Sequence, residues 1–522
     1  MIKDFGFIIP QNCQFGVGAL KKLPDFLKAA GSDNVMLISD RGLEAIGVVE
    51  KVRKIIKDAD LKYAEYLDVL PNPTTTIVDE CAAKYKEAGC TALIALGGGS
   101  PMDVAKAVGV VAKFGGTIGD YEGVGKVPGP IDTLIAVPTT AGTGSEVTVA
   151  AVITDEARNY KLSVLGPEIS PTYAVLDPEL IMTAPASVAA ACGVDALIHA
   201  MESYINTDAN PFSMAMAEKA MELIGGNIRK FVARRNDVDA ACAMMLGSTF
   251  AGIAFANNRL GDIHAMSHPV SAFYHVAHGV ANAVLMPTIF EFNALAADER
   301  YANIYQYITG KDAGEDFVPG MLCDALHQLN ADLGIPACLA DVGVQEDKIP
   351  QMAVDAMKSG NVTVNPRITT VKDVEALYHK VRAPPGRRSR PRRRGCPRGA
   401  CQRASKTWAG PGWTRRRRRG PRASGPGTSG KGSSDLSDPA SCCWLGEGRQ
   451  VVAGSGHSWK KPPQARCGTG RTGESMAYYS RFLEKIKPLS LASHPNNLLS
   501  DTYSYFFILM IFIVLPSLNC FH

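Results

Sequence analysis

A chain of 522 residues, 46% hydrophobic, 20% charged and 7% aromatic, is too long for one ordinary domain and too apolar to be disordered throughout. Its net charge of +4 hides a division: residues 1–382 carry 31 Lys+Arg against 45 Asp+Glu, a net of −14, whereas residues 383–522 carry 24 against 6, a net of +18. The acidic body makes a poor nucleic-acid binder, because phosphate backbones require surplus Lys and Arg.

The first residues, Met1-Ile2-Lys3-Asp4-Phe5, lack the basic and then apolar run of a secretory signal. The body's seven cysteines (13, 81, 90, 192, 242, 323 and 338) are scattered singly, with no C-x-x-C pair. They read as small core residues in a reducing cytoplasm rather than a disulfide framework or zinc ribbon. Residues 34–39 (NVMLIS), 91–96 (TALIAL) and 132–137 (DTLIAV) read as buried strands. Residues 42–57 and 77–88 between them have helical spacing. That rhythm predicts a parallel α/β sheet over residues 1–184, with ligands beyond the carboxyl ends of its strands. From 185 to 382 the pattern becomes Ala-, Met- and Leu-rich at helical periodicity (185–205, 211–233, 238–257), which predicts a separate all-helical domain.

After Arg382 the periodicity stops. Arg runs at 387–394 and 415–419 lie among Gly, Pro and Ser, which predicts disorder through about residue 473. The apolar run 506–515 (FFILMIFIVL) falls short of the roughly 20 residues a membrane span needs, so membrane contact is not expected. The charge jump and lost pattern suggest a wrong reading frame or a fused gene-model fragment. An intact native mass near 55.7 kDa would refute that idea. An active tail would instead bind RNA or anionic membrane through its Arg runs.

Three segments of the α/β region carry chemistry. Gly97-Gly98-Gly99-Ser100-Pro101-Met102-Asp103 follows a predicted strand and opens a predicted helix through 104–111. Glycines there admit a pyrophosphate to the free N–H groups of a helix start, although a plain tight turn uses the same residues and the G-x-G-x-x-G pattern is absent. Asp40, ending the NVMLIS strand, can accept both hydroxyls of an adenosine ribose and repel a 2′-phosphate, favouring NAD over NADP; it also suits a helix cap. Thr139-Thr140-Ala141-Gly142-Thr143-Gly144-Ser145-Glu146 can hydrogen-bond phosphate or carboxamide, or simply form a polar capping loop.

The histidines are more specific. Four of ten fall within residues 263–279: His264 and His268, four apart and so on one helical face, then His275 and His278. Upstream, Asp195 and His199 are also four apart. One carboxylate and imidazoles from another helix make a ligand set for ferrous iron or zinc alike.

These segments, GGGSPMD (97–103), VPTTAGTGSEVT (137–148), GVDALIH (193–199) and HAMSHPVSAFYHVAHGVA (264–281), closely resemble the iron-containing (group III) alcohol dehydrogenases, which include lactaldehyde and 1,3-propanediol oxidoreductases. The resemblance runs to about Arg382 and includes Asn365-Pro366-Arg367. It implies a dinucleotide-binding α/β domain, an all-α metal-binding domain, and a metal between them. Carried over by position, Asp195, His199, His264 and His278 would hold the metal, Fe2+ or alternatively Zn2+. His268 would relay protons beside the nicotinamide. Asp40, Asn72, Gly98, Gly99, Ser100, Asp103, Thr139, Thr140, Thr143 and Lys161 would contact NAD. His275 falls where no ligand is expected.

The implied reaction moves a hydride between a small primary alcohol or diol, or its aldehyde, and NAD(H), in a homo-oligomer, commonly a dimer. A glycerol-dehydrogenase-like or hydroxyacid–oxoacid transhydrogenase activity is the alternative with the same metal site.

Overall fold

The computed structural model describes residues 5–382, apart from 8, 10, 11, 159 and 297. The basic tail and the apolar run at 506–515 lie outside the described residues.

Among the described residues nine strands lie in the first half: β1 (Asn12–Phe15), β2 (Asn34–Ile38), β3 (Lys62–Tyr66), β4 (Ala92–Gly97), β5 (Gly123–Val124), β6 (Thr133–Pro138), β7 (Ala150–Asp155), β8 (Tyr160–Leu165) and β9 (Tyr173–Leu176). Six form a wholly parallel sheet in the order β1-β9-β6-β4-β2-β3. A parallel sheet is stable only with both faces covered, and β4 shows how that is met. Its Leu93 and Ala95 pack with Val104 and Val108 on one side. Its Ala92, Ile94 and Leu96 pack with Val48 and Val52 on the other. The period-2 alternation of a strand thus serves two apolar layers, which is why TALIAL is apolar without a break.

β4 and β6 pair in register to their ends, Gly97 opposite Pro138. The chain runs from β2 outward to β3, then returns to β4 on the other side of β2. The direction of winding therefore reverses between β2 and β4, where the loops at their carboxyl ends diverge and leave a crevice.

The predicted strands are present, but one expected helix differs. Residues 42–57 form two helices, Arg41–Ala45 and Val48–Asp58, because Gly47 takes a left-handed φ of 79° that ends the first. The helix that the glycine motif was expected to open runs Gly99–Phe114, with Gly98 as its N-cap, three residues past the expected end. The glycines are therefore the helix start, as the motif implied. A second sheet was not foreseen: β7 and β8 pair antiparallel, and β5 joins β8.

No strand follows Leu176 among the described residues. Helices Ala186–Ile205, Pro211–Ala233, Val238–Ala256, Asp262–Tyr274 and His278–Asn293 lead the helical half. Asn210 and Ser213 form a reciprocal capping box, and the Asp237 side chain caps the third helix. The segments Ala186–Ile205, Val238–Ala256 and His278–Ala296 are long and apolar enough to cross a membrane. Here they are largely buried against one another and form the core of this half.

Candidate active site

Asp195, His199 and Glu202 stand at positions i, i+4 and i+7 of helix Ala186–Ile205, so one buried face carries all three. His264 and His268 lie on helix Asp262–Tyr274, and His278 and Asn282 on helix His278–Asn293. The third helix reaches the first because of Gly279. A Cβ there would stand 2.5 Å from the Ala191 carbonyl oxygen and 3.3 Å from the Asp195 Cβ.

The helices bring lone pairs to one point. Ligand atoms of Asp195, His199 and His264 lie within 4.8 Å of one another. His264 Nε2 is 3.8 Å and His278 Nε2 4.0 Å from Asp195 Oδ1. A transition-metal ion with bonds of about 2.1 Å needs donors roughly that far apart. The ring centroids of His199 and His264 are 4.7 Å apart, and those of His264 and His278 5.3 Å.

The protonation pattern suits a cation. Burial lowers the pKa of His199 to about 4, against the opposing pull of the Asp195 carboxylate. Burial also lowers that of His278 well below the ordinary range, and the neighbouring imidazoles add to it. Both rings are therefore neutral at physiological pH and keep a lone pair. His199 Nδ1 is 3.2 Å from the Gly142 carbonyl oxygen, to which it donates, leaving Nε2 as acceptor. His264 Nδ1 donates to Glu202 Oε2 at 2.5 Å, while Glu202 Oε1 accepts from the Ile263 N–H at 2.7 Å. Such outer hydrogen bonds fix the tautomer that ligates metal.

Asn282 tests the fit directly. Its Nδ2 is 2.6 Å from Asp195 Oδ1, 3.0 Å from His264 Nε2 and 3.1 Å from His278 Nε2. The amide NH2, with its two positively polarised hydrogens, thus stands among three of the lone pairs a cation would take. Its Oδ1 is buried with no partner. One carboxylate and neutral imidazoles without a thiolate suit ferrous iron or zinc.

Family models match the chain in two consecutive stretches: iron-containing alcohol dehydrogenase over residues 10–178, and Fe-containing alcohol dehydrogenase family, C-terminal, over residues 189–382. The chain is 40% identical over 373 residues to an NAD-dependent methanol dehydrogenase of Bacillus methanolicus, covering 71% of this chain and 98% of that protein. It is 39% identical over 377 residues to the lactaldehyde reductase of Escherichia coli (strain K12), with coverages of 71% and 98%. The crystal structure of a 1,3-propanediol oxidoreductase superposes with a TM-score of 0.71 at 34% identity, covering 73% of this chain and all of that one.

The chain belongs to the iron-containing alcohol dehydrogenase family.

The cofactor residues assigned by resemblance to that dehydrogenase family stand at or near the carboxyl edge of the sheet. Gly98, Gly99 and Ser100 open helix Gly99–Phe114. Thr139 donates its N–H to the Gly97 carbonyl at 2.9 Å, so the loop after β6 lies on the glycine turn. Thr140 and Thr143 face Gly98 and Gly99; a Cβ on Gly99 would meet Thr143 Cγ2 at 3.0 Å. These glycines therefore serve loop packing as well as any phosphate.

Lys161, on the unforeseen strand β8, donates from Nζ to Asn72 Oδ1 at 2.7 Å. The pairing of Thr154 with Lys161 across the hairpin, and a bridge from Thr154 to Thr74, bring the two together. Asn72 sits at a left-handed φ of 55°, a conformation asparagine tolerates. Asp40 uses Oδ1 to cap helix Arg41–Ala45, accepting from Leu43 N at 2.9 Å. Both alternatives raised for Asp40 thus remain physically compatible. Asp103 differs: Oδ1 accepts from Ser145 Oγ at 3.0 Å and Oδ2 from Val152 N at 3.2 Å, so both its oxygens already have protein donors.

His268 stacks beside His278 at 5.4 Å, and burial lowers its pKa to about 3. His275 is exposed and ends its helix at a left-handed φ of 54°. Glu202, Asn282 and Lys106 were missed. Glu202 and Asn282 had a signal, since each lies at helical spacing from a predicted ligand. Phe255 was also missed, and its ring lies 4.6 Å from that of His199.

Proposed function

We propose that Asp195, His199, His264 and His278 hold one divalent metal ion, iron first and zinc as alternative, and that NAD(H) occupies the crevice beside it. The chain then interconverts a small primary alcohol or diol and its aldehyde. The single observation carrying this reading is the convergence of one carboxylate and neutral imidazole lone pairs on the point where Asn282 Nδ2 sits.

When bound, the metal supplies Lewis acidity that lowers a hydroxyl's pKa, and the nicotinamide supplies the hydride acceptor. The chain's residues do the rest. Glu202 holds His264 in the tautomer that presents Nε2. Gly142, through its carbonyl, does the same for His199. His268, with a pKa of about 3, is too weak a base to keep a proton near pH 7. Its proposed role is to pass the alcohol's proton onward through its ring nitrogens.

Gly98, Gly99 and Ser100 offer the free N–H groups of a helix start to the pyrophosphate. Asp40 selects a ribose without a 2′-phosphate, and Asn72, Thr139, Thr140, Thr143 and Lys161 complete the crevice, with Asp103 turned to the protein on both oxygens. Residues 1–184 thereby serve the cofactor and residues 185–382 the metal.

The substrate class is supported by relatives whose names specify methanol and lactaldehyde. All seven cysteines among the described residues are free, which agrees with a reducing cytoplasm. Family resemblance supports a homo-oligomer. The test is elemental analysis of anaerobically purified protein, followed by a panel of short alcohols, diols, glycerol, 4-hydroxybutyrate and aldehydes with NAD(H). Turnover of a primary alcohol that tracks metal content is expected. Protein that binds no metal and turns over no alcohol would defeat the reading.

A further inference from the structure

Lys106 is fully buried, one helical turn after Asp103 on helix Gly99–Phe114. Its ammonium reaches four oxygens: Ser145 O at 2.8 Å, Ser145 Oγ at 2.9 Å, Thr148 Oγ1 at 3.1 Å and Ala150 O at 2.8 Å. Two are backbone carbonyls, so what it fixes is the path of the chain between β6 and β7. Asp103 holds the same segment from beside it, through Ser145 Oγ and the Val152 N–H.

This is an expensive way to stabilise a fold. A fully buried ammonium gives up its hydration, and an apolar side chain of similar length often serves stability as well or better. Burial lowers the Lys106 pKa to about 8, with the Asp103 and Glu146 charges opposing the shift, so the group remains mostly charged at neutral pH. What an ammonium adds over a methyl end is direction: several short bonds that allow the loop one position.

That loop carries Thr139, Thr140 and Thr143. At its beginning the Thr139 N–H is held by Gly97, at the glycine turn. At its end it is held by Lys106, from the body of the helix that the same turn starts. The helix N-terminus and the loop facing it are thus fastened to each other at both ends.

We infer that Lys106, with Asp103 and Ser145, is a positioning residue of the cofactor crevice: it fixes the 139–150 segment against the helix that begins at Gly99. The inference rests on the NAD-crevice reading. It also reassigns Asp103, from a cofactor contact to a member of this clamp.

The test is a fluorescence titration of NADH into metal-loaded, full-length wild type, Lys106→Met and Ser145→Ala. Metal content, melting temperature and the split between kcat and KM for NAD are measured alongside. Lys106→Met removes every bond of the ammonium. It is expected to raise the NADH dissociation constant and the KM for NAD at least about 10-fold, with metal content retained, since the four ligands come from other helices. Ser145→Ala removes one acceptor of Lys106 and one donor to Asp103, and is expected to raise both about 3- to 10-fold.

Wild-type NADH affinity in folded Lys106→Met overturns the inference while leaving the crevice intact. Should Lys106→Met fail to fold, Ser145→Ala decides by the same criterion. Wild-type protein that does not bind NADH overturns the crevice reading itself, and the inference with it.

Discussion

Glu202→Gln is a sharp test of how the proposed metal ligands are held. Glu202 is buried, and each of its oxygens accepts one bond: Oε1 from the Ile263 N–H at 2.7 Å, Oε2 from His264 Nδ1 at 2.5 Å. Glutamine has the same shape but one acceptor and one NH2 group. With its oxygen on Ile263, its NH2 faces His264 Nδ1, and the ring must take the other tautomer. His264 Nε2 then carries the hydrogen and has no lone pair for a metal. With the amide turned over, the NH2 meets the Ile263 N–H instead.

Either way one buried donor is mispaired, at a cost of about 1–3 kcal/mol. Charged entirely against metal binding, that is roughly 5- to 150-fold, a range that spans the roughly 10- to 100-fold losses seen when outer partners of metal ligands are removed. The expected result is a folded protein whose metal dissociation constant rises about 10- to 100-fold. It is read by elemental analysis after dialysis against graded chelator buffers, with circular dichroism reporting the fold. Folded Glu202→Gln with wild-type metal affinity would refute the tautomer argument.

Three further substitutions probe the neighbouring features. His264→Ala should remove metal retention and alcohol oxidation together; an active, metal-free variant would end its assignment as a ligand. Asp40→Gly should relax the preference for NAD over NADP, measured as the ratio of kcat/KM values. Its loss of the cap on Leu43 N should cost only a few tenths of a kcal/mol, so a changed ratio would not reflect unfolding, and an unchanged one would remove Asp40 from the ribose pocket. Gly279→Ala places a Cβ 2.5 Å from the Ala191 carbonyl oxygen, which as backbone in mid-helix cannot swing away. A destabilisation of about 1–3 kcal/mol is expected, with faster metal loss as His278 shifts from Asp195; an unchanged melting temperature and metal off-rate would contradict that packing.

The sequence by itself determined the elements with the strongest local signal. β2, β4 and β6 were legible because a strand covered on both faces is apolar without interruption. Helix Pro211–Ala233 was legible to the residue because helical periodicity runs its length and Pro starts it. The candidate metal-binding pattern was legible because helical periodicity puts Asp195 beside His199, and His264 on one face with His268. Strand β8 was harder. Leu162 and Val164 are buried between the more exposed Lys161, Ser163 and Leu165, but six alternating residues among turns carry little signal.

Only the tertiary structure decided which of these residues meet. Periodicity fixes a face, not what lies opposite it. Spacing alone leaves Glu202 open to being a solvated carboxylate near a helix end; the packing of helix Asp262–Tyr274 makes it the partner of His264. Asp103 sits in a glycine-rich motif that suggests cofactor contact, yet the hairpin that follows supplies donors to both its oxygens. Lys106 carried no signal of its own in the sequence, and the acceptors of its buried ammonium come from a loop 39 residues further along. Contacts of that kind depend on distances across the fold, which no local pattern of residues encodes.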